Sequence, residues 1–192
     1  LHVKRFLFNI IKQDFGYGYI PEYHWDVVNL EDTYIKPYKN TFFVAFDKST
    51  GELIGTGGLR SYDNKFTFLR HCNPVDTASL CRVFVSKKWR RMGVASEILH
   101  YLESFAMENG YSNMYLHTHR TVSGALDFWL SRNYRVTMDT HNEMGTVHLQ
   151  KEIIPAPQDE LMVPPKLSSE SGKSPLKYAS VNPVSGAWED GR

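Results

Sequence analysis

The residues that most directly suggest chemistry are Arg90, Arg91, Met92, Gly93, Val94, Ala95 and Ser96. They stand where a β-branched and aromatic run, 80–85, gives way to apolar residues in three-to-four spacing, at Ile98, Leu102, Phe105 and Ala106. That change of period predicts a strand, a loop and a helix. A helix start leaves backbone N–H groups unpaired and carries partial positive charge, so phosphate binds there readily. Gly93 lets a ligand approach the backbone with no Cβ in the way, and Ala95 keeps the approach open. Arg90 and Arg91 supply charge-assisted donors beside it. Taken alone, this is an anion site. A solvated basic turn, or a nucleic-acid patch built on Lys87-Lys88-Trp89-Arg90-Arg91, is an alternative of the same composition.

Other candidates are weaker. His117 closes a strand-like run at 111–118, and an unperturbed imidazole titrates near neutral pH, which suits a base. His119 is an equal rival. Cys72 and Cys81 have neither metal-ligand spacing nor the density of a disulfide framework. Gly55-Thr56-Gly57-Gly58 lacks the Lys-Ser/Thr of a phosphate-binding P-loop, so it marks a bulge or a close backbone approach. No Gly-x-Ser-x-Gly elbow and no metal-spaced Cys/His cluster is present.

These residues need elements to position them. The body, 1–154, alternates strand and helix signals. Pro21, Trp25, Val28 and Leu30 suggest an N-terminal helix, and 41–46 and 52–59 form a hairpin about the turn cluster at 47–51. Strand 80–85, the helix from Val94 to Asn109-Gly110, strand 111–118, a short apolar helix at 123–130, and strands at 134–138 and 145–150 follow. A strand, crossover helix and strand set among antiparallel pairs is the signature of a single mixed sheet flanked by helices, an α/β domain. Beyond it, six of the nine prolines fall in 155–192 among Ser, Lys and Glu, so this stretch reads as a largely extended or disordered, flexible tail; the alternative is that Tyr178 and Trp188 anchor it onto the body or a partner. Tyr and Trp residues at 15–25 suit either the lining of an acceptor pocket or ordinary core, and core is the favoured reading.

Composition narrows the function. Across 192 residues the formal net charge is +1, which gives no global preference for nucleic acid or an anionic membrane. No apolar run is long enough for a transmembrane helix. With no Asn-x-Ser/Thr sequon and two isolated cysteines, the expected location is the cytoplasm.

The segment 80–102 resembles the core motif of the GCN5-related N-acetyltransferases (GNAT), whose loop has the form Arg/Gln-x-x-Gly-x-Gly/Ala. Arg90, Gly93 and Ala95 match it in register, after a strand and before an amphipathic helix. A second segment, 125–134, resembles the family's Ala-x-x-Phe-Tyr-x-x-x-Gly-Phe, and 147–151 resembles its closing strand. The chain departs from the pattern at Val122, where the family often has asparagine, at Asn133 and Tyr134 in place of glycine and phenylalanine, and at Trp129. The family's tyrosine at that last position often protonates the departing thiolate. An indole N–H is a donor only.

The resemblance implies the acyl-CoA N-acyltransferase fold: a mostly antiparallel sheet with a central, splayed parallel pair, here 80–85 and 111–118. It implies acetyl-CoA as cosubstrate, with no metal, held by Val83, Phe84, Val85 and residues 90–96, and an oxyanion stabilised by backbone N–H near Phe84 and Val85. His117 is then the candidate base or its water relay. The implied acceptor is a primary amine of a small molecule or of a protein, with no nucleic-acid or membrane partner, and exposed strand edges are compatible with a homodimer. The alternative from a different class is a non-catalytic acyl-CoA-binding or interaction module of the same fold, suggested by Trp129.

Overall fold

The computed structural model describes residues 2–69, 72–154 and 176–180. The chain begins with a helix that the reading above did not place, α1 (His2–Phe15), which buries Leu7, Ile10 and Ile11 as one stripe. Its apolar spacing was there to be read. Gly16, at φ +76°, ends it, with its N–H donating to the Lys12 carbonyl at 3.1 Å. Helix α2 (Pro21–Val28) starts on a proline and kinks at His24, where φ is −122°. The kink is fixed locally, because the buried His24 ring accepts the Ile20 N–H on Nδ1 at 2.8 Å. A π-helical turn, Glu31–Ile35, then buries Thr33, Tyr34 and Ile35.

Strands β1 (Thr41–Asp47) and β2 (Leu53–Ser61) form the expected hairpin. Asp47 organises its turn by accepting from the Thr50 N–H and from the Ser49 and Thr50 hydroxyls. Strand β3 (Thr77–Val85), helix α3 (Val94–Glu108), strand β4 (Asn113–His119), helix α4 (Ala125–Ser131) and strands β5 (Arg135–Asp139) and β6 (Thr146–Glu152) follow. Leu176–Ser180, inside the stretch expected to be tail, forms β7 along the outer edge of β1; the rest of 155–192 lies outside the described residues. The sheet order is β5-β6-β4-β3-β2-β1-β7, and β3–β4 is its parallel pair. This is the mixed, mostly antiparallel sheet that the alternation of elements predicted.

The sheet separates two cores. On one face α3 and α4 cover Ile98, Leu99, Leu102, Leu116, Leu149 and their neighbours. On the other, α1, α2 and the π-turn cover Leu7, Val27, Tyr34, Phe42 and Val44. The glycines of β2 set how closely α3 lies on the sheet. A Cβ on Gly55 would stand 2.8 Å from Ile98 Cδ1, and one on Gly57 would stand 2.8 Å from Leu102 Cδ1. This is the close backbone approach expected of that run, and a bulge accompanies it between Thr56 and Gly58. Among the described residues no helix is long and apolar enough to cross a membrane.

Candidate active site

Two features place the site: a fork in the sheet and a helix start beside it. Strands β3 and β4 pair only at Thr77–Asn113, Ala78–Met114 and Ser79–Tyr115. From Leu80 onward the edge of β3 that faces β4 carries no ladder, so its amides and carbonyls on that side are available to a ligand. The bulge opposite Gly57 drives the divergence. It puts Arg82 at φ +54°, a left-handed conformation that costs a non-glycine residue about 1–2 kcal/mol. The surroundings hold it there: Thr56 Oγ1 donates to the Arg82 carbonyl at 2.9 Å, and the guanidinium makes a two-pronged contact with Asp26, at 2.9 and 2.6 Å. Asp26 also accepts from Tyr34 Oη at 2.7 Å. Despite its burial, these partners hold the Asp26 carboxyl below the usual range. Val83, Phe84 and Val85 lie in the unpaired half of β3.

The loop from Arg90 to Ser96 leads out of that strand into α3. Gly93 is the N-cap at φ +86°, and a Cβ there would meet nothing within 4 Å. Ser96 and Glu97 donate to the Gly93 carbonyl at 2.9 and 3.1 Å. The N–H groups from Arg91 to Ala95 have no hydrogen-bond partner among the described residues, and the space beside Gly93 is open, so a set of free donors surrounds the α3 start. That arrangement fits a pyrophosphate. Met92 is 61% exposed at the loop tip, Val94 is buried, and Ala95 packs on the core below.

The arginines divide the labour differently from the expectation. Arg90 turns away from the open side: its Nε donates to the Val85 carbonyl at 3.0 Å and its Nη2 to Asp14 at 2.5 Å. Asp14, its side chain 7% exposed, ties α1 to the loop. Arg91 is exposed, with φ +66°. Sequence reasoning missed a third arginine: Arg132, after α4, donates to Ser96 Oγ at 2.5 Å and brings positive charge to the α3 start. The basic residue two places past Phe-Trp-Leu was its only signal.

His117 and His119 project from the same face of β4, with ring centroids 5.9 Å apart, and His148 stands across from His117 on β6. His117 is exposed, and its ring neighbours Phe66, Tyr115, His119 and His148. Desolvation, together with His119, His148, Lys65 and Arg82, pushes its pKa down to about 3, so it is neutral at physiological pH. Burial also lowers His119. Tyr115 Oη bonds His148 Nδ1 at 2.8 Å. Among the described residues, no group of three or more His, Cys, Asp or Glu side chains is placed to hold a metal ion.

Trp129 is buried in the α3–α4 core, edge-on to Phe128 and Tyr134, and packs rather than reacts. Asn133 takes φ +65°, the conformation a glycine would adopt there. The expectation that the aromatic residues at 15–25 form core is corrected: Tyr19, Tyr23 and Trp25 are 54%, 61% and 57% exposed. They sit on the kinked α2 and the segment before it, whose geometry follows the His24 bond rather than an amphipathic stripe.

Comparison with known proteins agrees with this geometry. The family model of the acetyltransferase (GNAT) family matches residues 4–134. No curated protein matches the chain. Among solved structures, a GNAT-family acetyltransferase from Staphylococcus aureus superposes with a TM-score of 0.62 at 18% identity, over 79% of this chain and 90% of the other. Arabidopsis thaliana NAA60, solved with a bisubstrate analogue, gives 0.60 at 15% identity, over 80% and 94%. A GCN5-related N-acetyltransferase from Kribbella flavida gives 0.58 at 19%, over 77% and 88%. At these identities the structures show the fold, and the family model shows the membership. The chain belongs to the GNAT acetyltransferase family.

Proposed function

We propose that this GNAT-family chain is an active N-acetyltransferase that moves the acetyl group of acetyl-CoA directly to a primary amine of a small molecule or a protein. The observation that carries the reading is the joining of the two features: unpartnered amides at 91–95 lie directly beyond the end of the unpaired half of β3. Acetyl-CoA supplies an acyl group already activated as a thioester, so the chain contributes mainly position and electrostatics. The 91–95 amides, with Arg91 and Arg132 nearby, hold the pyrophosphate. The open edge of β3 at Val83 to Val85 receives the pantetheine arm, and its N–H groups near Phe84 stabilise negative charge on the acyl oxygen.

The attacking amine must be neutral, and a free alkylammonium has a pKa of about 10. His117, neutral and next to His119, accepts that proton on an imidazole nitrogen and passes it through water to solvent. Its low pKa makes it a relay rather than a final resting place for the proton. The C–N bond forms as the C–S bond breaks. No acid is required at position 129, since an alkyl thiol of pKa about 8.5 is a fair leaving group near neutral pH. The unpaired Cys72 and Cys81 support work in the reducing cytoplasm.

The test is calorimetry with acetyl-CoA followed by free-thiol release across an amine panel. Binding with turnover is expected. No binding at high micromolar acetyl-CoA overturns the reading, whereas tight binding with no turnover favours an acyl-CoA-binding module. His117→Gln should lower kcat by about 100-fold. Because the His117 pKa is pushed down, the wild-type profile should rise from pH 6 to 8 with the acceptor's own ionisation and show no histidine inflection near 6.5.

A further inference from the structure

The acceptor side of the fork is lined by rings in a continuous belt. Phe84, in the unpaired half of β3, lies edge-on to Phe15 at 6.4 Å between centroids, and Phe15 edge-on to His119 at 5.7 Å. His119 meets His117 at 5.9 Å, and His117 meets Phe66 at 5.9 Å. Phe66 and Phe68 both stand edge-on to the buried His148, at 4.8 and 4.9 Å. Five elements, α1, the β2–β3 connection, β3, β4 and β6, thus build one aromatic surface. It is not sealed core: His117 and Phe68 are exposed, and Phe15, Phe66, Phe84 and His119 are half-buried. A row of rings this close to the fork, still open to solvent, is shaped to receive a flat apolar body.

Charge narrows the ligand further. Lys65 Nζ sits 5.6 Å from the Phe66 centroid, whereas Arg82 is neutralised by its two-pronged contact with Asp26. The carboxylates that flank the belt in the chain are already engaged: Asp14 with Arg90, Asp26 with Arg82, Asp63 with Arg60 and Asp139 with Arg120. A second or third ammonium on the acceptor would face Lys65 with these carboxylates taken. We infer that the acceptor is a compact aromatic monoamine, whose ring stacks on the Phe66–His117–Phe15 belt while its amine reaches the end of β3 at Phe84. The inference rests on the acetyltransferase reading and names its substrate class.

The experiment uses the full chain, acetyl-CoA and four amines: phenethylamine, n-butylamine, spermidine and a short lysine peptide. The expected order of kcat/KM puts phenethylamine about tenfold or more above each of the others, the worth of one ring stacked on an aromatic surface. Phe68→Ala, at an exposed position that the fold does not need, should shrink that advantage by raising the phenethylamine KM about fivefold, with the KM for acetyl-CoA unchanged. Phe66→Leu should act in the same direction while keeping bulk in the smaller cluster of Tyr62, Leu69 and Tyr115. Spermidine, butylamine or the peptide matching phenethylamine overturns the inference, as does a Phe68→Ala enzyme with undiminished aromatic preference. Ligand-observed NMR of phenethylamine separates the two readings. If acetyl-CoA fails to bind, the acetyltransferase reading falls, and competition of phenethylamine against spermidine for the protein still decides the belt. If acetyl-CoA binds and phenethylamine does not, the inference alone fails.

Discussion

The two sides of the fork are built on opposite plans. On the side proposed for the cofactor, residues 80–96 run continuously through strand, loop and helix start, and the groups left free are backbone amides ahead of the helix beginning at Val94. On the side proposed for the acceptor, Phe15, Phe66, Phe84, His117 and His148 come from separate elements and meet only because the fold brings α1, the β2–β3 connection, β3, β4 and β6 together. Backbone chemistry tolerates many side chains and needs a few special conformations. Side-chain chemistry needs particular residues but little from the local backbone. The first side is therefore rigid and general, the second adjustable and specific.

Substitutions can break this contrast or sharpen it. The largest effect is expected at Gly93. Gly93→Glu places a carboxylate where the 91–95 amides converge and forces a Cβ onto φ +86°, so acetyl-CoA affinity should fall by more than about 100-fold by calorimetry. An unchanged acceptor affinity in ligand-observed NMR would show that the two sides are independent; a parallel loss would join them.

Asp14→Asn is the next largest, because Asp14 is where the two sides touch. It leaves the half-exposed Arg90 without its charged partner and should cost about 1 kcal/mol in urea unfolding. Arg90 also braces the Val85 carbonyl, so acetyl-CoA affinity should weaken severalfold although Asp14 itself faces away from the open amides. An unaltered affinity would mean that α1 does not position the loop.

Trp129→Phe should do least to binding and turnover. It trims a packed side chain for about 1–2 kcal/mol of stability and leaves the pH profile of turnover unchanged, because the indole sits in the core edge-on to Phe128 and Tyr134. A change in that profile would restore an acid role to position 129.

The order of legibility follows the same contrast. The fork strands, Gly93 and the α3 stripe were readable because each is a local pattern: a period, a positive φ filled by glycine, a strand meeting a helix. Helix α1 carried the same signal in Leu7, Ile10 and Ile11 and was passed over. The exposed rings of Tyr19, Tyr23 and Trp25 were misread because hydrophobic type implies burial only where a periodic stripe supports it, and the bond from Ile20 to His24 breaks that stripe. Arg90 was placed correctly on the loop, yet its partner, Asp14, lies 76 residues away, and no spacing rule reaches so far.

By itself, the sequence determined that this chain folds as a mixed α/β domain with a glycine-led helix start after a central strand, because backbone geometry is written in short-range order. The tertiary structure decided which arginine braces the loop and which faces out, that His117 stands among other rings on β4 and β6, and that rings from five elements form one surface. Those outcomes depend on burial and on long-range partners, which exist only once the sheet has brought its faces together.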